Sequence, residues 1–179
     1  FVVLCESEQD ARQSQQDLTS WLKTRGLELS PEKTRVVHLD DGFDFLGFNV
    51  RRYAVQTKDT TKKRLLSPGY KVLTKPSKEA VKRFKKAVKE IFMTLKGAPV
   101  DTLIMRLNAL ITGWGNYYRH AVSKKTFSTL DHYLFQRQVR WVKFRHHNKG
   151  WLWLKNKYFG KFAPKHDDYW VFGNKETGK

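Results

Sequence analysis

Asp40-Asp41 are the first residues whose type and spacing could do chemistry, because adjacent carboxylates can hold divalent cations for phosphoryl transfer. Gly42 follows them and a strand-like stretch lies on either side, so a hairpin turn accounts for the pair fully. His146-His147 could suggest a metal or a general base. Adjacent helical residues do not share a face, however, and no Cys or carboxylate sits at ligand spacing, so these read as solvated or RNA-facing histidines. The single cysteine, Cys5, lies in the apolar run Phe1–Cys5 and reads as a buried strand thiol, consistent with a reducing compartment. No Ser/His/Asp order, glycine-rich phosphate loop or zinc spacing appears. The chain by itself therefore offers no complete catalytic constellation and no metal site.

Basic residues mixed with aromatics say more. Gly113-Trp114-Gly115-Asn116-Tyr117-Tyr118-Arg119-His120 puts small residues, rings and a cation together. Rings can stack on unpaired bases and cations pair with phosphate. Trp114 reads as helix packing, whereas Asn116, Tyr118 and Arg119 read as RNA contacts. Lys82, Lys85, Lys86 and Lys89 fall off the apolar seam of one helix, with only Glu79 and Glu90 as acidic neighbours, which favours a phosphate-facing surface. Arg51, Arg52, Lys124, Lys125, Arg137 and Arg140 join them as candidate nucleic-acid contacts.

Composition supports this. The chain has 179 residues, 40% apolar and 14% aromatic, enough for a packed core, yet its formal net charge is +18. A phosphate backbone is the commonest partner for such an excess, and an anionic membrane surface is second. The excess is uneven. Residues 1–70 hold 11 Lys/Arg against 10 Asp/Glu, while residues 71–179 hold 24 against 7, together with five of the six Trp. This split predicts two modules, one nearly neutral and one strongly cationic. No apolar stretch is long enough to span a membrane, and no signal-peptide pattern is present. The chain opens at Phe1 inside an apolar run and is expected to be a piece of something longer.

The elements that must position these residues can be read from periodicity. Phe1–Cys5 is an expected strand. Ser7 caps a helix to about Arg25, with Ala11, Leu18, Trp21 and Leu22 on one face and Gly26 as the stop. Residues 29–34 form a turn, Arg35 to Leu39 a strand, Asp40-Asp41-Gly42 a hairpin turn, and Phe43 to Tyr53 the returning strand. Ser67-Pro68-Gly69 reads as a turn between two short strands. Ser77 then caps a helix to about Lys96 whose Val81, Phe84, Val88, Ile91 and Leu95 form a packing seam. A second helix carries Leu103, Leu107, Leu110 and Ile111. A third, from about Lys124 to Phe144, carries Phe127, Leu130, Leu134 and Trp141. Residues 149–179 are aromatic and basic without clear period.

In that order, the apolar strand, the helix, Leu29-Ser30-Pro31-Glu32-Lys33-Thr34, Phe45-Leu46-Gly47-Phe48, Pro76-Ser77 and Gly113-Trp114-Gly115-Asn116-Tyr117-Tyr118-Arg119 closely resemble the C-terminal half of a group II intron-encoded reverse transcriptase and maturase. The resemblance covers nearly the whole chain. It implies an α+β chain, a partial polymerase palm (β-α-β-β) followed by a three-helix thumb bundle. Residues 1–75 would be the end of the palm with its primer-grip hairpin, residues 76–148 the helical thumb or maturase X domain, and residues 149–179 a linker toward a DNA-binding domain that the chain does not contain. Lys33 would match the lysine near the incoming nucleotide, on the pyrophosphate side. Phe45, Leu46, Gly47 and Phe48 would match the primer grip, where a glycine lets backbone come close. The family's Tyr-Ala-Asp-Asp turn and its third metal-binding aspartate are not in this sequence. The resemblance therefore implies no cofactor in this chain, magnesium for a complete enzyme, and no polymerase activity from this chain alone.

The partners so implied are group II intron RNA, an RNA/DNA template–primer duplex and the remaining fingers and palm of the same protein, with no membrane. The location implied is a ribonucleoprotein in the cytoplasm of a bacterium or an organelle interior. A non-enzymatic basic DNA-binding module is the alternative from another class, and a helix bundle on a membrane surface is a weaker third.

Overall fold

The computed structural model describes residues 1–54, 69–160 and 171–173. The chain is a mixed α+β protein that divides into two compact units, one made of Phe1–Phe45 and Val50–Leu73, the other of Leu46–Asn49 and Thr74–Lys179.

In the first unit, helix α1 spans Glu8–Lys23. Its start is set by Ser7, whose side chain accepts from the Asp10 N–H, and by Glu8 and Asp10 at the positive end of the helix dipole. Its end is a Schellman arrangement. Gly26 sits at φ +70, Leu27 N–H donates to Leu22 O, and Gly26 N–H donates to Lys23 O. Strands β1 (Phe43–Phe45), β2 (Phe48–Ala54) and β3 (Tyr70–Pro76) form one sheet in that order. The first residues of β2 and the last of β3 belong to the second unit.

Three expectations for this region need correction. Phe1–Cys5 has no regular secondary structure and joins no described strand, and both the run and Cys5 are exposed rather than buried. Apolar composition favours a strand only where another strand supplies the ladder. Arg35–Leu39 likewise forms no strand, although Arg52 N–H donates to Leu39 O. The β-α-β-β pattern is therefore absent from the described residues. Finally, Phe43 to Tyr53 is not one strand. It folds back at Leu46-Gly47, while Asp40-Asp41-Gly42 is a turn without the preceding strand. The expected turn at Ser67-Pro68-Gly69 lies almost wholly outside the described residues.

The second unit is built on helices α2 (Lys78–Thr94), α3 (Val100–Tyr118) and α4 (Lys124–Arg145). The three helices predicted from periodicity are present. Ser77 caps α2 through the Ala80 N–H. Phe84, Val88 and Phe92 of α2 meet Leu103 and Leu107 of α3 and Leu130, Leu134, Trp141 and Val142 of α4. The C-terminal end of α2 is closed by α4: Trp141 Nε1–H donates to Leu95 O at 3.2 Å, and the Arg145 guanidinium donates to Ala98 O.

The segment expected to be a linker continues this core. Helix α5 (Trp151–Tyr158) is followed by β4 (Phe159–Gly160), which pairs antiparallel with β5 (Val171–Phe172). Leu154, Tyr158 and Phe159 are buried in the same cluster as α2 to α4. An eight-residue helix contributes too few turns for a period to show, so its burial was hidden in the aromatic composition.

Candidate nucleic-acid interface

The best-organised feature of the second unit is the hairpin tip. Phe45-Leu46-Gly47-Phe48 turns with two central residues, Leu46 at φ 49 and Gly47 at φ +80. Positive φ at both positions marks the primed turn that matches the twist of paired strands. Such a turn leaves its central carbonyls without ladder partners. Tyr117 Oη–H donates to Leu46 O at 2.8 Å, and Tyr118 Oη–H and Ser77 N–H donate to Gly47 O at 3.2 and 2.8 Å. Phe48 lies 5.1 Å from the Tyr117 ring, stacked, and 4.9 Å from the Tyr118 ring, edge-on. Trp114, one turn earlier on α3, packs on Tyr118 at 4.3 Å and on Phe84 at 5.0 Å. The last turn of α3 thus anchors the hairpin tip to the helical core. Leu46 itself points away from this packing and is 68% exposed.

Gly47 is required here for space as well as conformation. A Cβ at this position would stand 2.6 Å from Tyr118 Oη. The close approach expected at this glycine is made by a tyrosine hydroxyl of the same unit. Tyr118 is correspondingly buried, at 4% exposure, and has no free ring face for a base. This corrects its reading as an RNA-contacting ring. Burial, then the neighbouring Tyr117, raise its pKa above the usual tyrosine value, against the opposing effect of Arg83.

The remaining candidates separate into groups. Lys82, Lys85, Lys86 and Lys89 follow i, i+3, i+4, i+7 spacing and share one face of α2, away from Phe84, Val88 and Phe92. Lys82 and Lys86 make only loose, exposed pairs with Glu79 at 3.8 Å and Glu90 at 3.9 Å, which hold little energy in water. Arg137 of α4 joins this stripe. Its Cζ lies 5.2 Å and the Lys85 Nζ 5.4 Å from the Tyr133 ring centre, and Tyr133 Oη–H donates to Lys85 O. Arg140 and Lys89 are exposed.

Arg119 and Lys124 line an open groove of about 480 Å³ at the junction of α3 and α4, with Ala121, Ser123, Phe127, Ser128 and Asp131. Lys125 and Asn116 are exposed beside these elements. Arg119 Nε–H donates to His120 Nε2 at 3.0 Å. Partial desolvation of Asp131 raises its pKa above the ordinary aspartate value.

In the first unit, Lys33 is exposed in the turn after α1. Arg52 donates from Nε and Nη2 to the two oxygens of Asp40 at 2.5 and 2.7 Å, and Arg51 Nε–H donates to Asp40 O at 2.7 Å. The Arg52 hydrogen bond holds the Asp40 carboxyl below its ordinary range. The Asp40-Asp41 pair is therefore tied into a turn, and among the described residues no group of three or more His, Cys, Asp or Glu converges on a cation site. Among the described residues, too, no helix is long and apolar enough to cross a membrane.

The reading from sequence missed two things. Tyr117 anchors the hairpin tip, a role signalled only by its place in the aromatic motif. His146 is half-buried rather than fully solvated: its Nε2 lies 2.6 Å from Tyr158 Oη, with the Trp153 ring 5.0 Å away, whereas His147 is exposed.

No curated protein matches the chain significantly. The family model described as group II intron, maturase-specific domain, matches residues 81–159. That stretch runs from the first seam residue of α2 to the first residue of β4, so it takes in the whole helical core, α5 included. The motifs, the helical unit and this match point the same way, and residues 81–159 are similar to the group II intron maturase-specific domain.

Proposed function

We propose that this chain is the RNA-binding C-terminal part of a group II intron maturase, holding intron RNA in a form competent for splicing. The observation that carries this reading is the stripe of Lys82, Lys85, Lys86 and Lys89, extended by Arg137, on the matched domain. Phosphates meeting that stripe would release counterions, so affinity for folded intron RNA is expected to fall steeply with salt, with a log–log slope of several units. A flat salt response in a filter-binding titration overturns the reading.

The finer reading is that the hairpin tip is a primer grip and that the chain also holds a template–primer duplex. The two tyrosine-held carbonyls and the outward Leu46 support it. On this reading Lys33 serves the incoming nucleotide, and polymerisation with magnesium depends on aspartates outside this sequence. In a complete enzyme, a β-branched residue at Gly47 is expected to impair primer extension more than RNA binding, whereas equal loss of both would indicate misfolding. The DNA-binding alternative predicts that plain duplex DNA competes as well as folded intron RNA. The proposed location is a ribonucleoprotein in the cell or organelle interior.

A further inference from the structure

We propose that the outer face of α5 is a separate site for single-stranded RNA, with a base stacked on Trp153 and flanking phosphates held by Lys149 and Lys157. The inference rests on the reading of the chain as an RNA-binding maturase part, but it uses a surface distinct from the α2 stripe and the hairpin tip.

Leu154 and Tyr158 turn inward from α5 and are buried, which leaves Leu152 and Trp153 outward at 72% and 38% exposure. Lys157 stands one turn after Trp153 on the same face of α5, and Lys149 lies just ahead of the helix. Their ammonium groups lie 5.5 and 5.1 Å from the Trp153 ring centre. His146 packs edge-on against the same ring at 5.0 Å. The indole is thereby fixed in orientation while part of it stays open to solvent.

One lysine over an exposed ring is an ordinary way for a long side chain to cover apolar surface. Two around one indole concentrate positive charge at a ring that keeps an exposed part, and the surrounding sequence adds to the effect. Residues 132–160 contain seven Lys/Arg and no Asp or Glu. An aromatic ring set among cations is the combination that holds single strands, since every base has a stackable face and brings a phosphate on each side. Duplex RNA hides its base faces and cannot use the indole. The site should therefore prefer unpaired segments, complementing a lysine stripe that reads charge alone.

The test uses the full chain with two probes, an unstructured RNA of about 12 nucleotides and an RNA duplex of the same length. Trp153→Ala is expected to weaken single-strand binding about tenfold and leave duplex binding unchanged. Trp153→Phe, which keeps a ring, should retain most of the affinity. Lys149→Gln with Lys157→Gln should reduce the single-strand salt slope by about 1.4. Unaltered single-strand binding in Trp153→Ala overturns the proposal. So does equal loss on both probes, or an effect confined to binding of phosphatidylserine vesicles, which would make the face a lipid contact. If the unaltered chain binds neither RNA, the underlying reading fails instead. If it binds duplex but not single strand, only this inference fails.

Discussion

At the scale of the residue, Gly47 and Tyr118 form one device. The backbone at Gly47 has φ +80, and the space a side chain would enter is filled by a hydroxyl that bonds the same residue's carbonyl. An alanine there would meet both conformational strain, about 1–2 kcal/mol, and the clash with Tyr118 Oη. Tyr118→Phe removes the clash but not the strain, because the next ring atom, Cζ, is at an ordinary 3.8 Å. Denaturant unfolding of the two single variants and the double variant should therefore show coupling: the double variant loses less than the sum of the singles. Strict additivity would mean that the tip has moved away from the tyrosine.

The same tyrosine gives a pH prediction. Its pKa is raised in the folded chain, chiefly by burial, so its contribution to stability is fully present below the ordinary value of 10.0 and is lost as pH rises through the higher folded value. Stability should fall on going from neutral to strongly alkaline pH, and by less in Tyr118→Phe.

At the scale of the element, what could be read in the sequence was what repeats. Seventeen to twenty-two residues gave α2, α3 and α4 enough turns for their seams to show, and Phe84, Val88, Leu103, Leu107, Leu130, Leu134 and Trp141 are buried as the spacing predicts. Short apolar runs misled, because a strand is a property of a pair. Phe1–Cys5 has the composition of a strand, but no described strand pairs with it. Periodicity alone points to a hairpin at Asp40-Asp41-Gly42, the stronger turn signal, whereas the turn at Leu46-Gly47, where the resemblance puts a hairpin, sets a leucine at a positive φ that leucine rarely adopts. Lys82, Lys85, Lys86 and Lys89 fell together because helical spacing dictates it. The meeting of Lys85 with Arg137 on Tyr133, two helices apart in sequence, needed the fold.

The element missed altogether is α5, and its weight can be measured. Leu154 is 1% exposed within the α2–α4 core. Leu154→Ala should cost about 2–5 kcal/mol, the range for a buried leucine. A loss under about 0.5 kcal/mol, the size of a surface change, would mean that α5 is an appendage and that the helical domain ends with α4.

At the scale of the whole molecule, charge and core coincide. No described residue of the first unit is fully buried, whereas the second unit holds the whole hydrophobic cluster and most of the excess positive charge. A stable core allows cations to be fixed in position, which distinguishes a binding surface from diffuse attraction. Net charge and arrangement can be separated experimentally. Replacing Lys82, Lys85, Lys86 and Lys89 by glutamine removes four charges from one helix face. Replacing Arg12, Lys23, Arg25 and Arg35 removes the same number from the first unit. If the α2 stripe holds RNA phosphates, the first set should lower the magnitude of the log–log salt slope by about 0.9 for each lysine in contact with duplex phosphate. The second set, whose side chains lie outside the matched domain, should shift affinity slightly and leave the slope nearly unchanged. Equal effects from the two sets would show that the chain is drawn to RNA by its total charge and that the α2 stripe has no special place in binding.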